Sequence, residues 1–291
     1  MALFSTKELI DGIPAHERFA VPAFNVHDME YTKGVIKAAE EMNSPVILML
    51  GEPVLPFAGL DTLANIALFA AKESTVPVAV ALDHGKKKDN ILRCIELGIC
   101  IMVDGSHLPF EENIAFTKNT AEMAHMAGLS VEGELGSLAG SEDGEEELSM
   151  KMTDPFKAAE YVEKTGIDIL AVSIGNSHGL YKGIPKIDVD RLIEIRQRVN
   201  VPLVLHGGSD LPDEVSTRLI QEGITKFNIG TDLKIAFCKA LKDVLQREPM
   251  PFQPQETMQY AIDAVCAVAK QKISLLGSTG KADLYGKSRV G

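Results

Sequence analysis

Several absences bound what this chain of 291 residues is. No apolar run approaches the ~18 residues that a membrane-spanning helix requires. The stretch MALFSTKELIDGI has no basic region followed by a long apolar one, so a signal peptide is not expected either. Positive charge is scarce: 29 Lys and Arg face 41 Asp and Glu, for a net charge of −12. With no basic patch to neutralise phosphates, nucleic acid and anionic membranes are not expected as partners. The four cysteines (Cys94, Cys100, Cys238, Cys266) form no CxxC pair. They are expected to be reduced thiols filling core volume, which points to the cytoplasm. No Pro/Gly/Ser-rich linker interrupts the chain, so residues 1–291 are expected to form one domain.

What is present is globular: 45% hydrophobic and 24% charged residues without a low-complexity tract. Eight apolar runs of strand length recur, at residues 19–26, 45–50, 76–84, 99–105, 130–136, 169–175, 202–208 and 226–232. Their near-continuous hydrophobicity suits strands covered on both faces, hence a parallel sheet. Helical periodicity occupies 31–41, 112–127, 154–164, 188–199, 212–222 and 233–246. Eight alternating units predict a closed (β/α)8 barrel, an α/β fold of the TIM type. An open doubly wound sheet would show a glycine-rich dinucleotide turn after its first strand, and FNVHDME has none. A last helix near 254–276 is expected outside the barrel or against a neighbouring subunit.

Barrel enzymes build their chemistry at the C-terminal ends of the strands. Those ends here carry Asn25, Asp83, His84, Asp104, Glu132, Glu134, Asn176, His178, His206, Ser209, Asn228 and Thr231. Three histidines on three different strand ends (His84, His178, His206) converge on one axis. Neutral imidazoles with an open fourth position make a catalytic zinc site. His16, His27, His107 and His125 are read as surface or supporting residues. Two turns suit a phosphate. His206-Gly207-Gly208-Ser209 leaves its strand through two glycines, and Gly230-Thr231 opens a helix whose N-terminus favours an anion.

These segments resemble the class II fructose- and tagatose-bisphosphate aldolases over essentially the whole chain. The shared motifs are ALDHG (81–85), MVDGSHLPFEENI (102–114), VEGELG (131–136), SIGNSHGLYKG (173–183), VPLVLHGGSDLP (201–212) and KFNIGTDLKIAF (226–237). The resemblance implies reversible cleavage of a sugar phosphate to dihydroxyacetone phosphate and an aldehyde. It implies a zinc ion on His84, His178 and His206, with a monovalent cation as a further candidate. Asp104 and Glu134 correspond to carboxylates near an alternative metal position. Asp83 resembles the acid/base acting at the C4 hydroxyl. Glu142, in the acidic loop 140–144, resembles a carboxylate that exchanges a proton at C3. Gly179, Lys182, Gly207, Ser209, Gly230 and Thr231 correspond to the 1-phosphate cradle, and Asn25 and Asn228 to substrate contacts. A homodimer or homotetramer is expected.

One departure matters. Relatives acting on bisphosphates carry Asp-Pro-Arg before the last helix; here the segment reads Gln253-Pro254-Gln255, and no arginine follows until Arg289. Gln255 and Gln259 are the candidates for the distal end of the substrate, so a ketose 1-phosphate with a different distal group is expected as readily as a ketose 1,6-bisphosphate of fructose or tagatose type. Three readings compete. A Schiff-base aldolase needs a lysine near the axis, but Lys226 falls at the start of its strand, the wrong end. A metal-dependent hydrolase barrel commonly opens with an HxH pair, which FNVH lacks. A non-catalytic partner subunit would have no need of Asp83 beside the ligand positions.

Overall fold

The computed structural model describes residues 3–138, 150–181 and 183–286. All eight apolar runs are strands: β2 (Val21–Asn25), β3 (Val46–Gly51), β4 (Val78–Gly85), β5 (Cys100–Val103), β6 (Val131–Leu135), β7 (Ile169–Val172), β8 (Leu203–Leu205) and β9 (Ile224–Ile229). A two-residue strand, β1 (Leu3–Phe4), precedes them and adds to β4. Every pairing is parallel, β2 pairs with β9, and the β4–β5 pairing closes the circuit. The sheet is therefore an eight-stranded barrel.

Strand alternation explains the layering, because successive side chains point to opposite faces. Phe24, Leu48, Val80 and Leu82 face outward and are buried under the helices. Val21, Ala23, Ile47, Met49, Ala79, Ala81 and Cys100 face inward and fill one end of the barrel with Leu9 and Phe19. Leu9 belongs to α1 (Thr6–Asp11), which plugs the N-terminal mouth. The outer ring comprises α2 (Met29–Glu41), α3 (Leu55–Ala58), α4 (Leu60–Glu73), α5 (Lys88–Glu96), α6 (Phe110–Met126), α7 (Pro155–Thr165), α8 (Val189–Arg198), α9 (Asp213–Gln221) and α10 (Thr231–Leu245). Sequence periodicity did not mark α4 or α5. Both stand in the gaps where a parallel crossover demands a helix. The ends of α7 follow capping rules: Asp154 accepts from the Phe156 and Lys157 N–H groups, Pro155 opens the helix, and Gly166 closes it with left-handed backbone.

The last helix, α11 (Pro254–Leu275), lies on the outside of the barrel against α2 and α10. Among the described residues no single helix is long and apolar enough to cross a membrane. Three cysteines are buried as expected, but Cys238 is exposed on α10. The α2–α11 contact is closest at Gly34, where an added Cβ would stand 2.8 Å from Val265 Cγ1 and 2.9 Å from the Ile262 carbonyl. Leucine there cannot be accommodated by rotation of one side chain, because the backbone of α11 is in the way. Gly34→Leu should therefore cost about 1–3 kcal/mol of stability, seen as a lowered midpoint in urea unfolding. An unchanged midpoint would mean that α11 is not held at this distance.

Candidate active site

Asp83 and His84 are consecutive in β4, yet both serve the C-terminal mouth of the barrel. In a regular strand they would face opposite sides. Two deviations solve this. The β4–β5 register shifts between Leu82 and Gly85, and His84 adopts left-handed backbone at φ +51°. Such a conformation is strained for a non-glycine residue and is kept only where surrounding contacts enforce it. Here the His84 N–H meets Met102 Sδ at 3.1 Å, and Nδ1 meets Asp104 Oδ2 at 2.9 Å. Asp83 accepts from Asn25 Nδ2 at 2.8 Å and Asn228 Nδ2 at 3.2 Å, so amides from β2 and β9 fix its carboxylate.

The other two histidines come from loops that brace each other. His178 follows β7 and His206 follows β8. The Tyr181 hydroxyl donates to the Gly207 carbonyl at 3.1 Å and accepts from the Ser177 N–H at 3.2 Å. Asn176 Nδ2 donates to the His206 carbonyl at 2.9 Å. The rings stand with centroids 5.1 Å apart for His84–His178, 4.8 Å for His84–His206 and 6.4 Å for His178–His206. One ligand atom from each lies within 4.8 Å of the others, and the same spacing holds for His84, Asp104 and Glu134.

These groups fit a divalent cation. His206 Nδ1 and Glu134 Oε2 are buried and face each other at 3.5 Å, but neither makes a well-formed hydrogen bond among the described residues, a costly arrangement that a metal between such groups would relieve. Among the described residues, four buried carboxylates (Asp83, Asp104, Glu132, Glu134) face two ammonium groups in ion pairs with them, Lys86 and Lys226. Among the described residues, carboxylates outnumber these ammonium groups by two. The effect is visible in the titration of the neighbours. Burial alone would lower the His84 pKa, but Asp83, Asp104 and Glu134 raise it well above its ordinary value. Burial likewise works against His206, and the carboxylates of Glu132 and Glu134 carry it up to about 9. Asp104 and Glu132 move the other way. Against the upward push of burial, His84 and Ser106 hold Asp104 far below the carboxylate range, and Lys226 with His206 brings Glu132 down to about 2.

The phosphate-type turns meet as the sequence suggested. The Gly208 N–H donates to the Asn228 carbonyl at 2.9 Å, and the Asp232 N–H approaches Ser209 Oγ at 3.4 Å. Gly179 and Gly207 both have left-handed backbone, φ +80° and +64°. Gly230 is the N-cap of α10 and makes no side-chain cap; Ser209 Oγ approaches one first-turn N–H, and a helix N-terminus of this kind favours an anion. Of the expected site residues, Glu142 and Lys182 lie outside the described residues. Gln255 and Gln259 are not brought to the histidines. Both are exposed on α11, where Gln255 approaches Gln253 at 3.4 Å and Gln259 donates to Asp263 at 3.0 Å. Two residues were undervalued in the sequence. Glu132 was only one polar strand-end residue among many. Lys226 was read at the start of its strand, but β9 begins two residues earlier, and Lys226 lies within the strand with its side chain in the barrel against Glu132. The period of two was the available signal: Glu132 shares a face with Glu134, and Lys226 with Asn228.

A closed parallel barrel with imidazoles, carboxylates and a helix N-terminus at its C-terminal mouth defines a TIM-barrel enzyme. Residues 5–281 match the family model of class II fructose-bisphosphate aldolases, and the chain belongs to that family. It is accordingly an aldolase, a carbon–carbon lyase. Similar solved structures include the YdjI aldolase from Escherichia coli K12, at 35% identity, TM-score 0.85 and coverage of 97% of this chain and 100% of that one. A putative fructose-1,6-biphosphate aldolase from Coccidioides immitis is 29% identical, with TM-score 0.86 and 96% of each chain covered. The fructose-bisphosphate aldolase from Campylobacter jejuni, at 23% identity and TM-score 0.76 over 94% and 93% of the two chains, shares the fold.

The turn at Gly207 gives a direct test of the geometry. A Cβ there would overlap the Ser177 carbonyl, and the backbone angle is one that L side chains avoid. Gly207→Ala should push the His178 loop and the His206 turn apart. Displacements of about 1 Å in a catalytic constellation cost ~10²-fold in rate. Aldol cleavage should fall by about that factor while the far-ultraviolet circular dichroism spectrum stays unchanged. Wild-type turnover in the variant would show that the two loops are not coupled.

Proposed function

We propose that the enzyme is zinc-dependent and cleaves a ketose 1-phosphate reversibly to dihydroxyacetone phosphate and an aldehyde. The observation that carries this reading is the set of three strand-end histidines with ligand atoms within 4.8 Å, standing beside the buried carboxylate of Asp83. His84, His178 and His206 would hold the metal, and Asp104 and Glu134 with His84 an alternative position for it or for a monovalent cation. The chemistry that zinc supplies when bound is Lewis acidity toward the substrate oxygens on which negative charge develops as the C3–C4 bond breaks.

The remaining work belongs to side chains. Asp83 takes the C4 hydroxyl proton during cleavage and returns it during condensation, with Asn25 and Asn228 fixing its orientation. Glu142 exchanges the proton at C3 of the triose. The 1-phosphate is assigned to Gly179, Lys182, Gly207, Ser209, Gly230 and Thr231, with Asn228 also toward the triose. The reading includes a sugar phosphate as substrate, a homodimer or homotetramer, and a cytoplasmic location.

The distal end of the substrate lacks the arginine expected of a bisphosphate enzyme. Gln255 and Gln259 bring no charge, and their hydrogen bonds stay on α11 and its flank. This supports a ketose 1-phosphate without a second phosphate. A second reading, a ketose 1,6-bisphosphate of fructose or tagatose type, is favoured by one observation: Lys86, two residues after His84, holds its Nζ 3.6 Å from Asp104 Oδ2.

Three measurements test these assignments. Alanine at His84, His178 or His206 should remove most of the one zinc expected per chain and most activity, while the protein stays folded. A metal-free preparation with full activity would refute the metal. Asp83→Ala should still bind zinc and triose phosphate but lose cleavage by roughly 10²–10⁴-fold, with C3 proton exchange retained. Exchange should instead be lost in Glu142→Ala. Finally, retro-aldol assays should show ketose 1-phosphates turned over at least as well as fructose and tagatose 1,6-bisphosphates. A strong preference for a bisphosphate would overturn the distal-end assignment.

A further inference from the structure

Lys226 and Glu132 take no part in the cleavage chemistry above, yet both are deeply buried in the barrel. Lys226 Nζ donates to Glu132 Oε2 at 2.7 Å, and Glu132 Oε1 lies 2.9 Å from His206 Nε2. The three groups come from β9, β6 and the turn after β8, so the chain crosses the barrel interior. Removing two charges from water is costly even when they are paired. A lysine–glutamate pair is therefore a poor way merely to fill a barrel whose other end is packed with Val, Ala, Ile and Met.

We propose that Glu132 and Lys226 are positioning residues that set the tautomer and orientation of His206 for metal binding. The inference rests on the reading of the three histidines as the zinc site. A neutral imidazole has one N–H and one lone pair, and an ionised carboxylate only accepts. Glu132 at Nε2 therefore requires the proton on Nε2 and leaves the lone pair on Nδ1. Nδ1 makes no hydrogen bond among the described residues and faces Glu134 Oε2 at 3.5 Å, a longer approach than the 2.9 Å between Nε2 and Glu132. A histidine ligand held by an outer carboxylate in this manner is fixed in rotation and made more basic.

Lys226 supplies the second half of the device. Glu132 and Glu134 stand two residues apart on the same face of β6, so either carboxylate is placed to approach the metal. Only Glu134 joins a group with metal-ligand spacing. Glu132 differs in having one oxygen tied to an ammonium and the other to His206. Lys226 thus keeps Glu132 charged and facing the imidazole, and prevents it from turning into the site as a competing ligand.

The test compares folded wild type, Glu132→Gln and Lys226→Met by chelator competition for zinc and by ¹⁵N-histidine NMR of the zinc-loaded proteins. The amide of Gln donates as well as accepts, so Glu132→Gln no longer selects one tautomer. Zinc affinity should fall about 10–100-fold in each variant. The wild-type protein should show a slowly exchanging Nε2–H resonance, assigned by its absence in His206→Ala, that is lost or shifted in Glu132→Gln. Should Lys226→Met not fold, Lys226→Gln keeps a donor at the same position, and the nearly isosteric Glu132→Gln decides the tautomer alone. Zinc affinity within twofold of wild type, with the N–H resonance intact, would overturn the relay. Wild-type protein that binds no zinc would instead overturn the reading of the site itself.

Discussion

A carboxylate buried between an ammonium and an imidazole is tolerable only while both partners stay in place. In this barrel Lys226, Glu132 and His206 come from three different βα units, those of β9, β6 and β8. Removing one member of such a buried set typically costs about 3–5 kcal/mol, because a charge is left uncompensated. The registers of β6, β8 and β9 are therefore tied by more than their backbone ladders. A one-residue slip of β9 would turn Lys226 outward into the apolar layer under the helices and leave Glu132 unpaired. The same slip would withdraw Asn228 from Asp83.

That constraint divides the barrel into two halves with different physics. The N-terminal half is filled by small and branched apolar residues and plugged by Leu9 and Phe19. Its stability comes from burial of apolar surface. The C-terminal half is filled by Asn25, Asp83, Glu132, Glu134, Lys226 and Asn228, all buried. It contributes little hydrophobic free energy and concentrates charge in a region of low dielectric, where each interaction is stronger than in water. Unusual backbone appears at the border of this polar half. His84 at φ +51° and Gly207 at φ +64° turn the chain sharply where the imidazoles of His84, His178 and His206 come together. Unfavourable local conformations are kept there because the surrounding hydrogen bonds over-determine them.

Membership of the class II fructose-bisphosphate aldolase family agrees with this division. The family match spans residues 5–281, which includes both the plug and the polar mouth. The distal end of the substrate is the part in which the chain departs from the pattern of bisphosphate enzymes. The exposed glutamines of α11 and the Lys86–Asp104 pair are the features from which its preference is argued here.

The sequence by itself determined the barrel, because eight apolar runs separated by helical periods admit few other closed arrangements. It also marked His84, His178, His206 and Asp83, because polar groups at the ends of buried strands have no structural excuse. It placed Asp83 and His84 in one site but did not reveal how adjacent residues both reach it, since a register shift and a left-handed residue have no periodic signature. The first residue of β9 was likewise hidden, so Lys226 was read at the start of its strand rather than within it. Partners such as Lys226–Glu132, 94 positions apart, exist only when the closed barrel brings β6 and β9 to opposite sides of one cavity. Side-chain period can be read along a chain. Which distant charges meet depends on barrel closure, and so only the tertiary structure decided it.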